Sequence, residues 1–429
     1  MNNQLREEKV FKDPVHNYVH VQDEIIWALI NTSEFQRLRR IRQLGTSYLT
    51  FHGAEHSRFS HSLGVYEITR RIISQFERAD YADWPKEERL VTLCAALLHD
   101  LGHGPFSHSI EQAFQMHHED WTCKIMLGDT EVGAVLRRLG EDFPDKVAAV
   151  IRKDYEHPIV VNLVSSPLDA DRMDYLLRDA YFTGVNYGTI DMDRILRMLR
   201  PFHGRIVVKE SGMHAVEDYL MSRYQMYWQV YFHPVTRSSE IILRQIFRRA
   251  KELHESGHQF AFLPDPLPGL FKRDLTVQEY LLLDEALVQT AFMQWKRESD
   301  ELLSELCSRF LDRKLYKYVE VESLDLEMID DIRVAFKDVG LNPDYDLEID
   351  FPTDLPYDVF RPDGEFRDKH ILLLDRQEQI REISEVSDIV RSISGLHRGK
   401  YHLYYPDNKI APVIERLPEH IHEIFKQTT

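Results

Sequence analysis

Through the first 250 residues, apolar positions recur at helical spacing. Phe35, Leu38, Ile41 and Leu44 fall on every third residue of EFQRLRRIRQL, and Ser33 with Gln36 fits a capping box, which predicts a helix entered through Asn31-Thr32-Ser33. Val65, Ile68, Ile72 and Phe76 give the next helix one apolar face. Residues 87–100 (EERLVTLCAALLHD) begin after Pro85 and become apolar on all sides, as a central buried helix requires; Gly102 and Gly104 then stop it. Ser165-Ser166-Pro167 opens a further helix that Gly184 closes, because proline suits the first helical position. An aromatic helix covers about 215–232. Beyond residue 260 the pattern changes. Pro264, Pro266 and Pro268 punctuate a loop, one more helical stretch follows, and then 317–324 (KYVEVESL), 370–375 (HILLLD) and 400–406 (KYHLYYP) alternate like strands. The expectation is a mainly α protein, with an all-helical core over 1–260 and a smaller α/β lobe over 261–429.

Composition narrows the choice of partners. The 429 residues hold 53 Lys+Arg against 71 Asp+Glu, a net charge of −18 with histidine neutral. That balance argues against nucleic-acid binding through the overall field, so a polyanionic ligand must meet local cations. A hydrophobic content of 43% excludes the disordered class. Cys94, Cys123 and Cys307 are odd in number and far apart, and form neither a disulfide framework nor a zinc knuckle. No apolar h-region opens the sequence, and no apolar run approaches the roughly 18–20 residues needed to cross a bilayer, so the expected location is cytoplasmic. Ten of the 21 histidines fall before residue 119, which directs the search for chemistry to the helical part.

Ligand-type residues concentrate in four segments: RFSHS around His61, HDLGHGPFSH at 99–108, MHHED at 116–120 and LDADRMDYLLRD at 168–179. His99-Asp100 ends the buried helix, where neighbouring side chains can enter one cavity, and a nitrogen plus a carboxylate suits a borderline divalent cation. A lone His-Asp pair is usually incidental. His61 and Asp171, from other helices, would complete a set of two histidines and two carboxylates with positions left open. Asp171, Tyr175 and Asp179 stand at i, i+4 and i+8, on one helix face, and Arg223, Tyr227 and Tyr231 repeat that spacing. An aromatic face of this kind is also what core packing produces.

The order His61…His99-Asp100…Asp171 resembles the HD-domain metal-dependent phosphohydrolase superfamily. The longer strings QLGTSYLTFHGAEHSRFSHSLGV (43–65), LLHDLGHGPFSHS (97–109) and LDADRMDYLLRDAYFTGV (168–185) are similar to the branch of SAM-and-HD-domain deoxynucleoside triphosphate triphosphohydrolases and their bacterial relatives. DPVHNYVHV (13–21) and EFQRLRRIRQLG (34–45) match that branch's N-terminal stretch. The resemblance covers about residues 9–235 closely and the acidic C-terminal lobe in outline, without a SAM domain. It implies an all-helical HD core and hydrolysis of a dNTP to deoxynucleoside and inorganic triphosphate. It implies a divalent metal ion (Mn, Mg, Fe, Co, Ni or Zn) on His61, His99, Asp100 and Asp171. Arg58 and Arg172 are placed for the triphosphate. His103 and His108 are placed for phosphate oxygens or for a proton to the departing 5′ oxygen, and His118 of His118-Glu119 serves with a carboxylate as the acid–base element. Gln43, Tyr175 and Asp179 match the family's deoxyribose-reading residues. Arg223 and Tyr231 match those over triphosphate and base, whereas Tyr227 stands where a histidine is usual.

The resemblance further implies a homo-oligomer, a tetramer in preference to a dimer, with an activating nucleotide between subunits. Lys9, Val10, Gln36 and Arg39 match the activator site, but Asn31 replaces the aspartate that reads guanine. GTP is therefore expected to activate weakly or not at all; the site is either absent or serves another nucleotide, and any activation is expected from a dNTP bound between subunits. Arg37, Arg39, Arg40 and Arg42 read equally as a basic helix face turned to solvent. Two alternatives stay open: an HD phosphohydrolase of another nucleotide class (mononucleotide, cyclic nucleotide or alarmone), or a non-catalytic, nucleic-acid-binding HD protein. Net charge and the complete ligand set weigh against the second.

Overall fold

The chain opens on an antiparallel hairpin, β1 (Gln4–Asp13) and β2 (Asn17–Asp23), which the helical reading of this region did not contain. Its signal is short: Val19, Val21 and Asp23 are buried while Tyr18 and Gln22 face out, a period of two. The turn follows local chemistry. Asp13 Oδ1 accepts from the backbone N–H of Val15 and of His16, both at 2.9 Å, and Asn17 takes a left-handed φ of 66°. The computed structural model describes residues 4–352, 357, 370–395 and 399–426.

After α1 (Glu24–Ile30), the helix expected through Leu44 is much shorter. It runs as α2 (Ser33–Arg37), tightens into a 3₁₀ turn at Leu38–Arg40 and is extended by Ile41. A strict period of three suits a 3₁₀ turn better than an α-helix, and Phe35, Leu38 and Ile41 are all fully buried along that path. The cap is Thr32, whose side chain accepts from Phe35 N; Gln36 turns instead to the Ile30 carbonyl.

The helical body comprises α3 (Arg58–Arg78), α4 (Arg89–Leu98), α5 (His108–Phe114), α6 (His118–Leu127), α7 (Glu131–Arg137), α8 (Phe143–Arg152), α9 (Pro158–Val164), α10 (Ala170–Thr183), α11 (Met192–Met198), α12 (Met213–Met226) and α13 (Pro234–Glu255). Val91 through Leu98 of α4 are buried, and Val65, Ile68, Ile72 and Phe76 form the inner face of α3. Helix α3 packs against both α4 and α10, which brings three ligand-bearing segments together. Helix α10 starts at Ala170, not at Pro167, because Asp169 is its cap and accepts from Arg172 N at 2.7 Å. Gly184 ends it in the left-handed conformation, φ 76°. The aromatic helix is α12, continued by a π turn over Tyr227–Tyr231 that rotates Tyr231 relative to a regular helix.

A second hairpin absent from the sequence reading, β3 (Leu199–Phe202) with β4 (Arg205–Lys209), separates α11 from α12. Helices at Pro266–Lys272, Val277–Leu282, Glu285–Trp295 and Glu301–Leu311 then precede β5 (Lys317–Val321) and β6 (Glu348–Asp350). β7 (Leu372–Leu374), β8 (Ile380–Glu382) and β9 (Tyr401–Tyr405) follow, so the expected strands are present in shortened form. β5, β9 and β6 make one antiparallel sheet. β7 pairs in parallel with β4, and Leu373, Ile383 and Val390 join the core of the helical body. Val319, Ile332, Phe336, Leu403 and Phe425 pack a separate, smaller core. No helix among the described residues is long and apolar enough to cross a membrane.

Candidate active site

Three helix ends converge on one point. His61 lies in the first turn of α3, His99 caps the C-terminus of α4 with Asp100 next to it, and Asp171 lies in the first turn of α10. His61 Nε2 is 3.0 Å from Asp171 Oδ1, 3.3 Å from His99 Nε2 and 3.6 Å from Asp100 Oδ2. His99 Nε2 is 3.4 Å from Asp100 and 3.6 Å from Asp171. Around a cation with ligand bonds of about 2.1 Å, donors stand about 3.0–3.4 Å apart when adjacent and up to about 4.2 Å across the ion, so one atom each of His61, His99 and Asp171 fits a shared ion, while Asp100 stands between this group and His103. Both imidazoles are oriented for it. His61 Nδ1–H donates to Asp174 Oδ2 at 2.8 Å and His99 Nδ1–H to the Ala96 carbonyl at 2.9 Å, so each presents Nε2. Burial opposes charge on His61, but its hydrogen bonds to Asp171 and Asp174 and the charges of Asp174 and Asp100 outweigh it and push the imidazole up to about 10. A pocket that holds a proton so firmly has a potential that a divalent cation would neutralise.

Arg58 flanks this set, paired with Asp100 and donating from Nε to Ser107 Oγ at 2.9 Å. Burial disfavours the Asp100 carboxylate, yet Arg58, His99 and His103 together hold it well below the usual range. The intervening loop is strained: Phe106 and Ser107 have φ of 56° and 43°. The buried Arg37 anchors that loop, donating to the His103 carbonyl at 3.0 Å and to the Leu283 carbonyl at 2.7 Å. Arg40 pairs with Asp284 and Arg42 with Glu55 and Glu285, so the expected solvated basic face is a set of tertiary clamps, Arg39 excepted.

Three histidines surround one carboxylate that the sequence reading missed. His118 Nδ1–H donates to Glu111 Oε1 at 3.1 Å, His103 Nδ1 lies 3.0 Å from the same oxygen, and His108 Nδ1 lies 3.5 Å from Oε2. The rings of His103 and His118 stack with centroids 3.8 Å apart. Burial opposes ionisation of Glu111, but the three imidazoles hold its carboxyl well below the usual range. His103 is pushed down to about 4 by burial, then by Arg58 and His118, and is neutral at pH 7. Glu119 points elsewhere, to Lys153 at 2.9 Å. The signal for Glu111 was its place three residues after His108, on the same helix face.

A cavity of ≈ 540 Å³ adjoins both clusters. Arg58, His103, His108 and His118 line it with Asp100 and Asp171, and so do Gln43, Tyr175, Asp179, Tyr227 and Tyr231. Asp179 is buried and clamped: Oδ2 accepts from Tyr231 O–H at 2.8 Å and Oδ1 from His56 Nε2 at 2.7 Å. Gln43 Oε1 is buried without a hydrogen-bond partner among the described residues. Of the expected residues, the two histidines of the metal set, His61 and His99, lie behind the lining, and Arg172 and Arg223 stand outside it. Arg172 donates to the Ser166 carbonyl at 2.6 Å and pairs with Asp169, and the Arg223 guanidinium lies 5.4 Å from the Tyr227 ring centroid. Arg237 and Glu240, paired at 2.7 Å, line the cavity without having been singled out.

The residues matched to an activator site lie on the outer surface. Val10 is exposed on β1, next to Lys9. Asn31 Nδ2 donates to the Trp27 carbonyl at 2.7 Å, and Arg39 Nε donates to Gln36 Oε1 at 2.8 Å while its guanidinium covers the Phe59 ring.

The helix ends thus bring two histidines and two carboxylates together, with Asp100 and Asp171 reaching the cavity, a set that could hold a divalent ion as the HD class of phosphohydrolases does. The HD domain model matches residues 58–179 and the HD associated region model matches residues 190–262. The chain is 56% identical over 411 residues to the uncharacterised protein YwfO of Bacillus subtilis, covering 96% of this chain and 95% of that one. It is 27% identical over 328 residues to the deoxynucleoside triphosphate triphosphohydrolase SAMHD1 homolog of Dictyostelium discoideum, covering 73% of this chain and 60% of that one. The crystal structure of a phosphohydrolase from Bacteroides thetaiotaomicron superposes with a TM-score of 0.81 at 28% identity, over 93% of this chain and all of that one. The chain belongs to the HD-domain phosphohydrolase superfamily.

Proposed function

We propose that the protein is a deoxynucleoside triphosphate triphosphohydrolase, releasing deoxynucleoside and inorganic triphosphate. What carries the reading is that one cavity is shared by Asp100 and Asp171, by the His118–Glu111 pair and by a hydroxyl-binding set of Gln43, Tyr175, Asp179 and Tyr231. Asp179 and Tyr175 lie on the same face of α10 as Asp171, within about 12 Å along the axis at 1.5 Å per residue. Each Asp179 oxygen keeps acceptor capacity beyond its one donor, and Gln43 Oε1 is unpaired, so a sugar hydroxyl meets acceptors at both. The activity printed for the Dictyostelium relative supports the same substrate class.

A divalent cation held by His61, His99, Asp100 and Asp171 would supply a Lewis acid at the α-phosphate and lower the pKa of the attacking water. Arg58, fixed between Asp100 and Ser107, offers its guanidinium to phosphate oxygens. Neutral His103 adds an uncharged contact. His118 transfers a proton to the 5′ oxygen as the P–O bond breaks, with Glu111 setting its tautomer and stabilising the imidazolium. The Tyr175 ring excludes a 2′-OH. The same reading includes a homo-oligomer in which the surface of Lys9, Val10, Asn31, Gln36 and Arg39 receives a dNTP from the subunit interface.

The test is to incubate the purified protein with each dNTP and NTP in Mn²⁺ and separate the products by ion exchange. Triphosphate from dNTPs, absent with Asp171→Ala, is the expected result. Monophosphate with pyrophosphate, or phosphate from mononucleotides alone, would move the protein to another nucleotide class.

A further inference from the structure

The string DPVHNYVHV takes no part in the chemistry above, yet its turn reaches the ligand cluster. His16 Nε2 lies 2.5 Å from Asp174 Oδ1, and both side chains are fully buried. Asp174 Oδ2 accepts from His61 Nδ1–H at 2.8 Å and from Arg178 Nε at 2.8 Å, while Arg178 Nη2 donates to Oδ1 at 3.0 Å. Arg178 in turn donates from Nη1 to Asp13 Oδ2 at 2.9 Å. Asp13 closes the loop, because its Oδ1 accepts the backbone N–H of His16.

We infer that the β1–β2 turn is a positioning element for the metal centre, with Asp13 and His16 fixing Asp174 and Asp174 fixing the His61 ring. This rests on the reading of His61 as a metal ligand. Two donors on each Asp174 oxygen leave the carboxylate no rotational freedom, so it holds the His61 ring in one plane. Without His16, Oδ1 keeps only Arg178, and the carboxylate can turn about χ2 and carry the His61 hydrogen bond with it. Water does not compete, since His16, Asp174, Arg178 and His61 are all fully buried. The space is cut to fit. A Cβ at Gly64, on the turn of α3 after His61, would lie 1.9 Å from Asp174 Oδ1 and 2.6 Å from Arg178 Nη2. Helix α3 therefore approaches α10 as closely as this network demands only because residue 64 is glycine. The hairpin is held by its own turn chemistry, so the network is assembled from an element outside the residues matched as the HD domain.

The experiment is a Mn²⁺ titration of the full-length protein, reading free Mn²⁺ by electron paramagnetic resonance. His16→Asn, whose amide mimics Nδ1 and falls short of Asp174, should weaken Mn²⁺ binding roughly ten- to a hundred-fold, as loss of an outer-shell partner does. His16→Gln, whose amide reaches the Nε2 position, should restore most of the affinity. A purely structural role would lower the melting temperature of both variants without separating them in Mn²⁺ affinity, and that result overturns the inference. His61→Ala is the control. If it too binds Mn²⁺ as the wild type does, the ligand assignment fails and the inference with it. If it alone loses the ion, the assignment stands and only the positioning role is lost. Should His16→Asn not fold, hydrogen exchange of wild-type peptides spanning residues 11–19 decides. Coupling is reciprocal, so Mn²⁺ should slow their exchange, and an unchanged rate overturns the proposal.

Discussion

Tyr175 shows how much one side chain is asked to do. It sits between Asp171 and Asp179 on α10, and its ring meets Tyr231 edge-on at 6.1 Å, so it is braced against displacement. Its contribution to sugar choice is steric, and the hydroxyl is dispensable to it. Tyr175→Ala should therefore lower the ratio of kcat/KM for dATP over ATP by roughly 10-fold or more, while Tyr175→Phe leaves the ratio close to wild type. An unchanged ratio in Tyr175→Ala would make the ring a packing residue. At this scale the i, i+4, i+8 face of Asp171, Tyr175 and Asp179 was legible from local spacing, and the other candidates came from the resemblance of the longer motifs. Arg172 was not legible. Its adjacency to Asp171 promised a phosphate contact, yet it turns back to the carboxylate that caps its own helix.

Between elements, the acid–base pair depends on how α5 meets α6. Glu111 comes from α5 and His118 from α6, and Gly102 lets the loop between α4 and α5 pass against the first turns of α6: a Cβ there would lie 2.1 Å from the His118 carbonyl and 2.3 Å from Thr122 N. Because Glu111 is held ionised, it can fix the His118 tautomer and stabilise its protonated form. Glu111→Gln should lower kcat roughly 100-fold or more and leave Mn²⁺ affinity unchanged, since Glu111 touches none of the four proposed ligands except through His103. Equal loss of kcat and metal would assign Glu111 to the metal site instead. Helices such as α3 and α4 were readable from their apolar faces. The α2 segment was not, because a period of three is shared by a 3₁₀ turn and a short α-helix, and burial of Phe35, Leu38 and Ile41 decided between them.

Across the whole molecule, Arg37 ties the N-terminal segment to the active-site loop and to the Val277–Leu282 helix end. Arg37→Leu would orphan two buried carbonyls at about 1–3 kcal/mol each, so a substantial drop in melting temperature is expected. A melting temperature within a degree or two of wild type would mean that water or a rearranged loop replaces it. The outer surface bears on regulation. Asn31 gives an amide hydrogen to the Trp27 carbonyl and has one carbonyl oxygen as acceptor, where a carboxylate would accept from two guanine N–H groups. One such hydrogen bond is worth roughly 1.5–3 kcal/mol, or ten- to a hundred-fold in affinity. GTP should therefore stimulate dATP hydrolysis weakly or not at all, with stimulation gained in Asn31→Asp. Strong GTP dependence in the unmodified protein would refute this.

The sequence by itself determined the helical class and the polar face of α10, because each depends on spacing within one or two turns, while the four candidate ligands were named through the resemblance carried by the ordered motif His61…His99-Asp100…Asp171. Folding alone decided what holds those residues. Asp174 is 113 residues from His61 and 158 from His16, and Arg37 reaches a carbonyl 246 residues away. No local periodicity encodes such pairs, since a buried aspartate and a solvated one look alike along the chain. They differ only in which donors the packed helices and the N-terminal turn bring within 3 Å, and that is a property of the assembled core.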